Sequence, residues 1–197
     1  MFDNALKSVI SIEGFYSDDP NDPGNWTGGR VGVGILKGTK YGISAGSYPE
    51  LQIKYLTLKD ARVIYHRDFW NKMNLGSLVN YSDDLANMLF SLGVNCGARR
   101  GVTFLQAAIN TLNFTEDLKI SPVRNSAWQQ KIVRMLNGMP LKVDGFNGPR
   151  TRSVLNAIPH RVAVTVAVFG EAYSHYSRGK LMYRAGWLNR LGSLMIK

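Results

Sequence analysis

Cysteine occurs once in the 197 residues, as Cys96, so no internal disulfide forms and folding does not need an oxidising compartment. No apolar run approaches the roughly 18 residues of a membrane span. The N-terminal stretch Met-Phe-Asp-Asn-Ala-Leu-Lys lacks the basic region of a signal peptide, and Glu13 interrupts the apolar residues that follow. Such a chain is expected to be made and folded in a cytoplasm, and any route outward is not written in it. Repeats and low-complexity tracts are absent. The three histidines, His66, His160 and His175, are scattered, with neither a His-Glu-x-x-His pattern nor paired cysteines, so neither metal nor cofactor is expected. The glycines between Gly28 and Gly38 are not followed by Gly-Lys-Ser/Thr, which excludes a phosphate loop.

Acidic residues run short in one half only. Residues 1–98 hold 9 Lys/Arg against 10 Asp/Glu, a net −1; residues 99–197 hold 15 against 4, a net +11. The second half therefore attracts an anionic polymer or envelope surface. With 45% hydrophobic and 19% charged residues, the chain can bury and solubilise an ordinary core.

The patterning is mainly α. Leu6, Val9 and Ile10 fall on one face of a helix over 3–14, which Gly14 ends. Glu13, four positions after Val9, lies on that same apolar face, an unusual place for a carboxylate. Residues 17–46, with three Asp, two Pro and eight Gly, read as a loop and a small irregular hairpin, with β-like pieces near Val31–Leu36 and Lys40–Ser44. Thr57-Leu-Lys-Asp60 resembles a capping box opening a helix through Trp70. Ser82 caps another, with Leu85, Met88, Leu89, Leu92 and Cys96 on one face. Further helices are expected at about 101–113, 125–137, 149–158 and 161–177. The last is ambiguous, because Val162, Val164, Val166 and Val168 alternate as in a strand, but its length favours a buried helix. The fold class is thus a helical bundle with one small β-hairpin near the N-terminus.

Two carboxyls stand out. Glu13 leaves a helix end among Ile10, Ile12, Phe15 and Tyr16, whereas Asp22 sits nine residues on in a polar Gly/Pro loop. Glycoside hydrolysis uses that division: an apolar setting keeps a proton on one carboxyl, and a solvated carboxylate stays ionised. The bland readings are a helix-end glutamate in an ion pair, and an Asp-Pro-Gly turn. Trp26 and Tyr41 flank the proposed cleft and offer flat faces to sugar rings, while Trp70 and Trp187 are assigned to packing. Cys96, on an apolar helix face, reads as an inert buried thiol.

Glu13-Gly-Phe-Tyr, Asp-Pro-Asn-Asp22-Pro-Gly and Thr39-Lys-Tyr-Gly-Ile-Ser44 together resemble the signature of glycoside hydrolase family 108, phage endolysins and related muramidases of lysozyme-like fold. The similarity continues through Phe69-Trp70, Leu89-Phe90, Val94-Asn95-Cys-Gly97 and Leu105-Gln106. Val143-Asp-Gly-Phe-Asn-Gly-Pro-Arg-Thr151 and Gly186-Trp-Leu-Asn-Arg190 resemble the associated peptidoglycan-binding region. The resemblance implies a catalytic region at 1–98 and a basic binding region at 99–197, packed as one globular monomer. Glu13 then takes the place of the catalytic glutamate, and Asp22 and a threonine complete the site; Trp26 and Tyr41, as aromatics beside that cleft, and Asn95 are the expected substrate-binding residues. The substrate is peptidoglycan, cut between N-acetylmuramic acid and N-acetylglucosamine, with no cofactor and no nucleic acid. The protein would wait in the host cytoplasm until released to the wall. This chain departs from the pattern by inserting residues 25–38 before Thr39. Thr27 keeps the fourteen-residue spacing from Glu13 and Thr39 keeps the downstream context; Thr39 is favoured. Rival readings are a lytic transglycosylase, a zinc or thiol amidase, and a non-enzymatic cationic wall-binding module.

Overall fold

A computed structural model describes residues 2–13, 15–113, 126–178 and 191–192, without the side chains of residues 11–13. It is mainly α with one small antiparallel sheet, as expected, and Gly186–Arg190 with Trp187 lie outside the described residues. By contacts the chain forms two compact units, residues 1–68 and 69–197, which part at a different place from the regions 1–98 and 99–197 distinguished by charge and motif.

In the first unit α1 spans Phe2–Glu13 and buries Phe2, Ala5, Leu6 and Val9. That is the i, i+3, i+4, i+7 stripe of an amphipathic helix, and each large side chain so buried is worth about 1.5–3 kcal/mol. A two-stranded sheet follows, β1 (Thr39–Lys40) with β2 (Ile43–Ser44), in register Thr39 to Ser44 and Lys40 to Ile43. Its turn places Tyr41 at a φ of 54° and Gly42 at 75°. Helix α2 (Leu58–Tyr65) opens on Thr57 with the anticipated capping box: Thr57 Oγ1 accepts from Asp60 N–H, and Asp60 accepts from Thr57 N–H at 2.9 Å. Arg62 on α2 pairs with Asp3 on α1 at 2.7 Å, and the Phe2 and His66 rings meet edge to face. The Tyr65 hydroxyl donates to the Tyr41 carbonyl at 2.8 Å, tying α2 to the hairpin turn. The helix expected through Trp70 changes pitch: His66–Asn71 is a π-helical stretch.

The strand expected at Val31–Leu36 does not form. Gly29, Gly32 and Gly34 all take positive φ, which breaks an extended run into turns. Only an isolated bridge between Trp26 and Leu36 remains.

The second unit is helical. Ser82 caps α3 (Asp83–Cys96) by accepting from Leu85 N–H, and Leu85, Met88, Leu89 and Leu92 are buried. Gly97, at a φ of 93°, separates α3 from α4 (Ala98–Asn113), which starts three residues earlier than its apolar pattern indicates. Helices α5 (Ala127–Met135), α6 (Pro149–Asn156) and α7 (Arg161–Ser177) follow. The alternating valines of α7 are helical: Val164, Val168, Ala172 and Tyr176 are buried at helical spacing, whereas Val162 and Val166 are exposed. Cys96 is partly buried, and desolvation pushes its thiol pKa up to about 11, which makes it a poor nucleophile.

Candidate functional site

Glu13 is the last residue of α1, continuing the stripe of Phe2, Leu6 and Val9 by helical periodicity. Phe15, expected to help enclose it, is 93% exposed and shields nothing. Four residues after Glu13 the chain bridges to β1: Ser17 and Thr39 exchange backbone hydrogen bonds of 2.9 and 2.7 Å. This isolated bridge fixes Thr39 against the segment that follows α1.

The loop between them is organised by Asn25, a residue that sequence reasoning does not single out. Asn25 is fully buried. Its amide nitrogen donates to the Asp19 carbonyl at 3.0 Å, and its side-chain oxygen accepts from the Thr39 hydroxyl at 2.7 Å. Its backbone carbonyl accepts from both Lys37 and Gly38 N–H at 3.0 Å. The insertion therefore begins and ends at one point, with residues 25 and 38 in hydrogen-bond contact. Gly38 is needed there, because its φ is +82° and a Cβ would come within 2.5 Å of the Ser17 carbonyl.

Asp22 caps the short 3-10 turn Pro23–Asn25, accepting from Gly24 N–H at 2.8 Å. Its carboxylate is exposed and serves the turn through one oxygen, so the turn-forming reading of this residue holds whatever else it does. Thr27 is occupied inside the insertion, where its hydroxyl accepts from Ile35 N–H at 2.9 Å. The Trp26 indole donates to the Pro20 carbonyl at 2.9 Å. Lys40 lies over the Tyr41 ring at 5.3 Å. Asp22, Trp26 and Thr39 thus surround Asn25 in the first unit, directly or through one neighbour. Asn95 belongs to the second unit, where its amide donates to the Tyr176 hydroxyl at 2.8 Å.

The chemistry available around Asn25 is polar and oriented. Because the Thr39 hydroxyl gives its proton to Asn25, it presents lone pairs to anything else, and so acts as an acceptor toward a water or a sugar hydroxyl. Among the described residues no three His, Cys, Asp or Glu side chains cluster as a metal site.

The motif Val143–Thr151 in the second unit is held by Gln106, which is buried on α4. Gln106 donates to the Asp144 carboxylate at 2.9 Å, to the Phe146 carbonyl at 3.1 Å and to the Thr151 hydroxyl at 3.3 Å, and accepts from Gly145 N–H at 2.8 Å. Hydrogen bonds from the Gln106 side chain and the Phe146 N–H hold the Asp144 carboxyl below its ordinary pKa. Gly145, at φ +74°, lies where a Cβ would meet Arg99. Asp144 and Thr151 are therefore engaged by Gln106, and the Asn147 amide donates to the Met73 carbonyl at 3.0 Å, whereas Val143 and Phe146 are exposed.

Among curated protein sequences none matches this chain. Its fold is similar to that of SagA from Brucella abortus, with a TM-score of 0.67 at 19% identity, over 98% of this chain and 90% of that one. Residues 6–97, a stretch that takes in Glu13, the loop around Asn25 and Asn95, match the family Glycosyl hydrolase 108.

Proposed function

We propose that the protein is a peptidoglycan N-acetylmuramidase of the endolysin kind, hydrolysing the β-1,4 bond between N-acetylmuramic acid and N-acetylglucosamine. The observation that carries the reading is the family match over the segment in which a glutamate ends an amphipathic helix and leads directly into a pinned, polar loop. Glu13 is the general acid: it protonates the glycosidic oxygen as the C1–O bond breaks, and the carboxylate left behind is reprotonated from solvent. Thr39, with its proton committed to Asn25, accepts a hydrogen bond from the attacking water. Asp22 supplies negative charge toward the developing oxocarbenium ion or the water. Trp26 and Tyr41 flank the sugar chain, and Asn95 also contributes to substrate binding. Residues 99–197 hold the enzyme to the anionic envelope through their net positive charge. The active species is a monomer, held in the host cytoplasm until released to the wall.

The test is Glu13→Gln on purified peptidoglycan, with products read by mass spectrometry. The wild type is expected to release muropeptides with new reducing ends, and the variant to lose activity about 10³-fold or more while keeping its circular dichroism and Tm. Anhydro-sugar termini would instead identify a lytic transglycosylase. Full activity in the Glu13→Gln protein would overturn the catalytic assignment and favour a cationic binding module.

A further inference from the structure

A groove runs along the packed helices α4 and α7 in the second unit, with a volume of about 640 Å³, within the range of small-ligand sites. From α4 it is lined by Arg100, Thr103, Phe104 and Ala107, at positions i, i+3, i+4 and i+7. From α7 and the residue that caps its C-terminus it is lined by Glu171, Ser174, His175 and Arg178, at the same spacing. Each set is one helical face. The helices run antiparallel here: Phe104 meets His175 at 5.5 Å between ring centroids, and Thr111 donates to Glu171 at 2.8 Å.

This register gives the groove two electrical ends. Arg100 and Arg178 stand at one end, and neither forms an ion pair among the described residues. His175 between them has its pKa lowered by burial and then by the charges of Arg100 and Arg178, in keeping with their convergence. Glu171 stands at the other end, seven residues along α7 from Arg178, or about 10 Å at 1.5 Å per residue. Phe104, Ala107 and Val143 supply an apolar floor between the ends.

We propose that this groove binds a short zwitterionic peptide, its carboxylate between Arg100 and Arg178 and its ammonium at Glu171. A spacing of about 10 Å matches two to three extended residues at about 3.3–3.6 Å each. Peptidoglycan stem peptides carry both groups, a free carboxylate and the amino group of a diamino acid. The choice of wall peptide rests on the proposed activity; the peptide geometry does not. A phosphate polymer fits less well, because Glu171 repels it at one end.

The experiment titrates the full-length Glu13→Gln protein with a stem tetrapeptide, followed by calorimetry and by amide chemical shifts. Expected are shifts at Thr103, Ser174 and His175, and affinity reduced about tenfold by Arg178→Gln or by amidating the peptide carboxylates. Acetylating the peptide's amino group is the deciding arm. It makes the ligand more anionic, so a mere sink for negative charge binds it more tightly, whereas this groove binds it several-fold more weakly and Glu171→Gln removes the difference. Tighter binding of the acetylated peptide, unchanged affinity in Arg178→Gln, or equal competition by poly(glycerol phosphate) would each overturn the proposal. Wild-type digestion of peptidoglycan is measured alongside. Peptide binding without digestion sinks the muramidase reading alone, and digestion with unaltered binding by the groove variants sinks the groove alone.

Discussion

Replacing Asn25 by alanine asks how much of the candidate site hangs on one buried amide. In the wild type that amide joins the Thr39 hydroxyl at 2.7 Å to the Asp19 carbonyl at 3.0 Å. Losing the two hydrogen bonds costs about 0.5–1.5 kcal/mol each, and leaving one polar partner desolvated adds about 1 kcal/mol or more. The sum is roughly 3 kcal/mol, which for a chain of this size lowers Tm by about 6–12 °C. Thr39→Val removes one of the same two bonds and costs roughly 1–2 kcal/mol. Since the pair interacts directly, the double variant should fall short of the sum by about 1 kcal/mol. Urea unfolding at constant m gives all three values. Additivity within about 0.3 kcal/mol, or a cost below about 0.5 kcal/mol for Asn25→Ala, would refute the account. On peptidoglycan, Asn25→Ala should lower turnover in the wild type but have little further effect once Thr39 is valine. A purely structural amide would slow both backgrounds alike.

Glycine substitutions separate backbone conformation from crowding. Gly29→Ala should cost about 1–2 kcal/mol, the left-handed penalty alone, since nothing lies within 4 Å of its would-be Cβ. Gly38→Ala should cost clearly more, because the same penalty is joined by contacts of 2.5 Å to Ser17 and 2.7 Å to the Tyr16 ring; thermal melts of equal height would contradict this. Gln106→Glu sets a carboxylate against Asp144. In the wild type the lowered pKa of Asp144 means that its contribution is present above the usual carboxylate value and lost as pH falls through the folded one. In the variant the two carboxyls raise one another's pKa, so the deficit at pH 7, roughly 2 kcal/mol or more, should shrink as pH falls toward 4.5 and one proton is taken up between them. A deficit independent of pH would show that Gln106 acts only by packing.

Elements with a strong helical period are legible in the amino-acid sequence. The stripe of α1, the Thr57 and Ser82 caps and the buried face of α3 follow from spacing and capping chemistry, both local. The alternating valines of α7 mislead only in part, because seventeen residues exceed a strand's usual length. What resists reading is set by contacts distant in sequence. Asn25 reads as an ordinary turn residue in a Gly/Pro-rich loop, and the partner of its side-chain oxygen, Thr39, lies fourteen positions away. Gln106 lies within an apolar helix face, and only its partners 38 to 45 residues on reveal its role. The Val31–Leu36 alternation is a false strand because the glycines between its apolar residues adopt positive φ, leaving Val31, Val33 and Ile35 exposed at 47–64%.

The insertion is where sequence and structure inform one another most. Counting residues from Glu13 points to Thr27, whereas local context points to Thr39. Counting assumes that added residues carry the chain onward, and here they do not. Asn25 accepts from Gly38 N–H at 3.0 Å, so the excursion leaves and returns at one place. Within it, Thr27 spends its hydroxyl on Ile35 N–H, closing the excursion on itself. Thr39 meets the segment that follows α1 through both backbone bonds to Ser17. Spacing along the chain and spacing in the fold therefore separate at Asn25, and Thr39, not Thr27, is the threonine bonded to Ser17, four residues after Glu13. On this reasoning Thr39, rather than Thr27, is the threonine to mutate beside Glu13: Thr39→Ala should reduce turnover, and Thr27→Ala should lower stability by about 1 kcal/mol with turnover unchanged.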